Sequence, residues 1–166
     1  MRRALPALLL ALGAGRTAGA PSPAKQACQP FDASEVRKVL RIPVGQPHGA
    51  AGASMLSCTA EGGGVQVTLS HTAEPDPVLG SAGEFNKTVE AARASGRVEV
   101  REFKETRCAT LLPSGGGKFA RYKCLCALHS KGGRYVSLEV LAPSERLLPK
   151  LEQLRTAAEA AAGRVR

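Results

Sequence analysis

Apolar and polar residues alternate with a period of two through the middle of the chain, and recur with a helical period at three places around it. In "FDASEVRKVLRIPV" Val36, Val39 and Leu40 share one helical face; Asp32 and Glu35 have capping-box spacing, and Pro43 is the stop. In "SMLSCTAEGGGVQVTLSHT" Leu56, Cys58 and Ala60 alternate with polar residues, glycines turn the chain, and Val65, Val67 and Leu69 again face one way. Alternation on both sides of a glycine turn predicts a hairpin with one wet face. A second helix follows "AEPDPVLG": Ser81 and Glu84 are spaced as a capping box, Phe85, Val89 and Ala92 form the stripe, and Gly96 ends it. Further strands are "VEVREF", then "RCATLL" turning through "PSGGGK" into "ARYKCLCALHS", then "RYVSLEVLA". The last helix carries Leu147, Leu151, Leu154 and Ala158 at i, i+4, i+7 and i+11, with Pro149 in its first turn. Hairpin links dominate and no parallel crossover is visible. The pattern predicts an α+β fold: an antiparallel sheet of five to six strands with about three helices packed on its apolar face.

The amino terminus changes the setting. Arg2 and Arg3, an apolar run from Ala4 to Ala14 and the small residues after it read as a secretory signal peptide over residues 1–20. The cleavage point follows Ala20 or lies as late as Ala24. The apolar run is well short of the roughly 20 residues a membrane span needs. Lys25 stands where a lipoprotein signal before Cys28 requires an aliphatic residue, so membrane contact is at most peripheral. Residues 21–27 read as a flexible leader and 28–166 as a single domain. The expected location is secreted or periplasmic, and the expected state a monomer.

Removing residues 1–20 leaves 146, enough for a real core. The net charge of +9 falls to +6 once Arg2, Arg3 and Arg16 leave. That modest excess suits an anionic envelope component as partner, or simply keeps the chain soluble. With no Trp, two Tyr and four Phe, the chain lacks the stacking platforms of nucleic-acid and carbohydrate binders. "PSGGGKF" lacks the spacing of a nucleotide phosphate loop and reads as a hairpin tip.

Five cysteines are present: Cys28, Cys58, Cys108, Cys124 and Cys126. In an exported protein disulfides are their default fate. Cys28 to Cys58 pins the leading segment to the first strand. A hairpin tip near Gly116 places Cys108 opposite Cys124, with Cys126 two residues on, so Cys108 pairs with Cys124 or Cys126 and the odd cysteine is a buried thiol. "CLCALH" also invites a metal or redox reading on Cys124 and Cys126. His129 has the opposite strand phase from both cysteines, and no second cysteine pair repeats the spacing of a zinc knuckle. The spacing is also not the C-x-x-C of a redox helix. No metal and no cofactor are expected.

Other chemistry is sparse. His48, His71 and His129 read as ordinary surface histidines, Glu35, Glu61, Glu84, Glu90 and Glu99 form no acid–base pair, and no serine sits in a nucleophile elbow. Asn86 heads an N-K-T glycosylation acceptor, but within a predicted helix.

"ACQPFDASEVRKVLRIPVG" followed by "LSCTAEGGGVQVTL" resembles small exported bacterial domains of unknown function, some of them lipoproteins, and broadly the extracellular sensor domain of a bacterial receptor kinase. The resemblance covers residues 27–70 and the remainder by element order. It implies a disulfide-stapled envelope domain with a PsbP-like sandwich architecture and no established activity. The chain departs from that pattern in its missing lipobox and in the extra cysteine of "CLC". The functional expectation is a non-enzymatic secreted domain binding a small ligand or envelope partner. The alternatives are an interaction or inhibitor module using "HTAEPDPVLGSAG" or the glycine-rich tip, and a thiol or metal protein built on Cys124 and Cys126.

Overall fold

The structure, a computed structural model, describes residues 22–75, 80–94, 96–113 and 121–166. Seven strands form one antiparallel sheet: β1 His48–Ala51, β2 Met55–Gly62, β3 Val65–Thr72, β4 Gly96–Glu102, β5 Arg107–Pro113, β6 Tyr122–His129 and β7 Tyr135–Ala142. Their spatial order is β1-β2-β3-β7-β6-β5-β4. Among the described residues four α-helices accompany them: α1 Pro23–Cys28, α2 Ala33–Leu40, α3 Gly80–Arg93 and α4 Leu151–Arg164. The α+β class and the antiparallel sheet are as the pattern predicts; the strand count is one to two higher. The added strand is β1, whose "HGAA" has no apolar alternation to announce it.

The segment read as a flexible leader is also different, because Pro23–Cys28 is helical. It lies against β1 and β2, where the Cys28–Cys58 bond holds it. Gly49 permits the contact. A Cβ there would stand 1.9 Å from the Ala24 carbonyl oxygen, so only glycine lets the two backbones come this close.

The sheet is covered on both faces, not one. Paired residues share a face, so Cys58, Leu69, Leu138, Cys126 and Cys108 lie in one row across five strands. This face packs α2 and α4 in the main core, with Leu154 and Ala158 at 0% exposure. On the opposite face Ala109, Leu111, Leu125 and Ala127 form a second apolar patch, which Phe85 and Val89 of α3 cover. β6 is therefore buried from Cys124 to Leu128 without alternation, as a strand sheltered on both sides must be.

Local signals held unevenly. Asp32 caps α2, accepting from the Ser34 and Glu35 backbone N–H at 2.9 and 3.1 Å. The reciprocal half of that capping box is missing, because the Glu35 side chain turns to Arg164. α2 ends at Arg41, in the left-handed region at φ 59°, two residues before Pro43. Ser81 lies inside α3, one residue after its start, and Gly96 opens β4. The last helix starts only at Leu151. Pro149 forces Leu148 into an extended conformation, so Leu147 sits in a separate 3-10 turn and is 44% exposed.

Candidate functional site

Four elements converge at the end of the sheet where β3 finishes and β7 begins. α1 supplies one wall, with Pro23 and Gln26. The strand ends add Leu56 and His71, the β6–β7 turn adds Arg134, and the end of α4 adds Arg164, Val165 and Arg166. Between them lies an open cleft of about 710 Å³. Its size is that of a small-ligand site.

Each wall has a physical cause. The Cys28–Cys58 bond and the Gly49 contact fix α1 on the sheet. The turn that presents Arg134 is closed by Ser130 N–H to the Arg134 carbonyl (2.8 Å), with Gly133 at φ 75°. Arg164 is tied at two points: Nε donates to the Pro30 carbonyl at 2.9 Å and Nη2 to Glu35 at 2.6 Å. Glu35, read from the sequence as a capping-box residue, thus orients a guanidinium of the cleft from the neighbouring helix.

His71 is 4% exposed, which corrects its reading as a surface histidine. The signal was present: it continues the inward phase of Val65, Val67 and Leu69. Nδ1 lies 3.3 Å from the Thr72 carbonyl, which only accepts, so Nδ1 carries the proton of the neutral ring. Nε2 is buried without a hydrogen bond of normal geometry. Burial pushes the imidazole pKa below its ordinary value and nearby Arg134 pushes the same way, against the Thr72 and Ala27 carbonyls. The ring is therefore neutral at neutral pH. His48 and His129 are exposed, and His129 faces away from the sulfurs, beside Tyr135.

The cysteines are bonded Cys28 to Cys58 and Cys108 to Cys126. Of the two partners left open for Cys108, the structure takes Cys126. The ladder pairs 108 with 126 and 111 with 123, which centres the hairpin on residue 117, not 116. A one-residue shift of centre moves a cross-strand partner by two, so Cys124 faces Thr110 instead. Cys124 is the buried thiol, with its pKa pushed up to about 12 by burial and by the Glu139 carboxylate. Such a thiol is a poor nucleophile and a poor ligand. Among the described residues, no three His, Cys, Asp or Glu side chains come together as a metal site.

The other sequence candidates stay apart. A cavity of about 440 Å³ at the β2–β3 hairpin holds Glu61 and Arg121, of opposite charge. Glu84 and Glu90 pair with Lys87 and Arg93 on the surface of α3, Glu99 pairs with Arg101, and Asn86 is exposed on α3. The interaction loop and the glycine-rich tip include residues 76–79 and 114–120, which lie outside the described residues, as do the signal peptide and residue 21. Sequence reasoning missed Arg134, Arg164 and Arg166 as a group, since nothing local marks them.

No protein-family model, no curated protein and no solved structure matches the chain. Two disulfides suit an oxidising, extracytoplasmic compartment. No helix among the described residues is long and apolar enough to cross a membrane.

Proposed function

We propose that the chain is a secreted or periplasmic, non-enzymatic domain that holds a small ligand or an envelope component in the cleft between α1, the sheet end and the end of α4. The cleft itself carries this reading: about 710 Å³, with fixed walls and with polar and apolar residues facing one space. Its location supports the proposal too, because one disulfide builds a wall of it. A scaffold that staples a six-residue helix beside a cavity keeps the cavity's shape without a large core. The titratable groups at hand favour binding over catalysis, since His71 has no acidic partner among the described residues and Cys124 is sealed in the core. The likeness of the first two cysteine segments to exported bacterial domains points the same way.

The test is a screen of the oxidised mature protein against a fragment library of mixed charge, followed by hydrogen exchange of the hits. Stabilising compounds are expected to slow exchange in residues 52–56, 71–73 and 134 and at the end of α4. Hits that protect only other regions, or no hits at all, refute the cleft as the binding site.

A further inference from the structure

Resting on that reading of the cleft, we infer that its ligand is a compact oxyanion, a carboxylate or phosphate ester, carried on a short apolar body. Arg134, Arg164 and Arg166 line the cavity, and among the described residues no Asp or Glu does. Neither Arg134 nor Arg166 has an ion-pair partner among the described residues. Arg134 and Arg166 therefore bring uncompensated positive charge to the cleft, and an anion bound there is attracted to it.

Arg164 adds shape to the charge. Its Nε and Nη2 are held by Pro30 and Glu35, which sets the plane of the fork, and Nη1 has no hydrogen-bond partner among the described residues. A planar fork suits a ligand with two oxygens on one atom, the feature that carboxylates and phosphates share. The remainder of the wall mixes the polar Gln26, Gln29 and His71 with apolar residues. Leu56 and Val165 are 8% and 5% exposed, and Ala73 and Pro23 stand beside the same space. A bare ion would fill only a small part of the open cleft of about 710 Å³, and a short hydrocarbon group on the oxyanion meets Leu56, Val165 and Ala73.

The experiment uses the oxidised, isotope-labelled mature protein. Butyrate, phenyl phosphate, butylamine and butanol are titrated in turn while amide shifts are followed. Co-sedimentation with phosphatidylglycerol or phosphatidylcholine vesicles is measured in parallel. Saturable shifts at Arg134, Val165 and Ala73 are expected with butyrate and phenyl phosphate and not with butylamine. Substituting both Arg134→Gln and Arg166→Gln, at partly exposed and exposed positions, is expected to weaken oxyanion binding at least tenfold without changing shifts elsewhere. Sedimentation with phosphatidylglycerol alone, lost in the double variant, supports a lipid headgroup as the source. Saturation by soluble esters without sedimentation supports a soluble ligand. If butanol or butylamine moves the cleft amides as strongly as butyrate, the site binds but the oxyanion class is wrong. If neither these probes nor any library compound moves them, the binding reading falls, and this inference with it.

Discussion

Cys124 and His71 are both buried titratable side chains on the α4 face of the sheet, and burial acts on them in opposite directions. For the thiol, burial opposes the thiolate, and the raised pKa of about 12 keeps it protonated at any physiological pH. Native protein at pH 8 is therefore expected to resist iodoacetamide, and unfolded, non-reduced protein to take up one equivalent. Rapid labelling of native protein would show that Cys124 is accessible. For the imidazole, burial also opposes the charged form, which here lowers the pKa. The unfolded chain then binds the proton first as pH falls. The stabilising effect of a neutral His71 is complete above about pH 6.5 and is lost as pH drops toward the lowered folded value. Thermal midpoints are expected to fall between pH 7.5 and 5, with a shallower slope in His71→Gln. An unchanged slope would mean that other groups govern this window. Asp32 acts lower, in the acid range. Its hydrogen bonds from Ser34 and Glu35 depress its pKa, so the cap is present above about pH 4 and lost below. Replacing it with alanine is expected to destabilise by about 1 kcal/mol in urea titrations at neutral pH.

Elements with a strong period were legible, and those held by tertiary contacts were not. The β2–β3 hairpin shows in the sequence because Leu56, Cys58, Ala60 and Val65, Val67, Leu69 all turn inward about a glycine pair at positive φ, Gly63 and Gly64. α1 and β1 show almost nothing. Six residues are too few to form a helix unaided, and β1 is an exposed edge strand of small residues. What holds them is tertiary: β1 pairs with β2, Cys58 bonds α1, and the two meet at Gly49. Gly49→Ala tests this, since its Cβ would also lie 2.8 Å from the Ala24 carbonyl carbon, where backbone has no room to yield. A loss on the order of 2–3 kcal/mol is expected, with faster amide exchange in residues 24–28. Normal exchange in α1 would show that the helix does not depend on this contact.

At the scale of the molecule, two covalent staples join four stretches of chain, three of which the sheet also holds. In the chain-entropy model, closing loops of 30 and 18 residues stabilises by about 3–4 and 3 kcal/mol. Against a typical total of roughly 5–15 kcal/mol, reduction removes a large part of the stability. The melting temperature is expected to drop by tens of degrees in reductant, and Cys28→Ser with Cys58→Ala to lose about half of that. A reduced protein that melts as the oxidised one does would place the stability in the core alone. α4 is the non-covalent counterpart. Leu154 is wholly buried where α4 meets the sheet, and Leu154→Ala is expected to destabilise by about 2–5 kcal/mol in chemical denaturation.

The sequence by itself determined the local matters: the period of each strand, the Asp32 cap, the glycine turns, the wet and dry faces of the first hairpin, and an odd number of cysteines that left one thiol over. These depend on neighbours within a few residues, where backbone geometry alone dictates which side chains share a face. Only the tertiary structure decided which face α3 would cover, which cysteine Cys108 would meet, and that Arg134, Arg164 and Arg166 would stand around His71 at one end of the sheet. A cross-strand partner moves two places for each one-residue change at a tip, so the bond to Cys126 is set by the ladder as a whole. The cleft joins segments far apart along the chain, whose mutual distance depends on where a disulfide and a glycine contact seat α1. Charge and packing act through space, and no period along the chain records that.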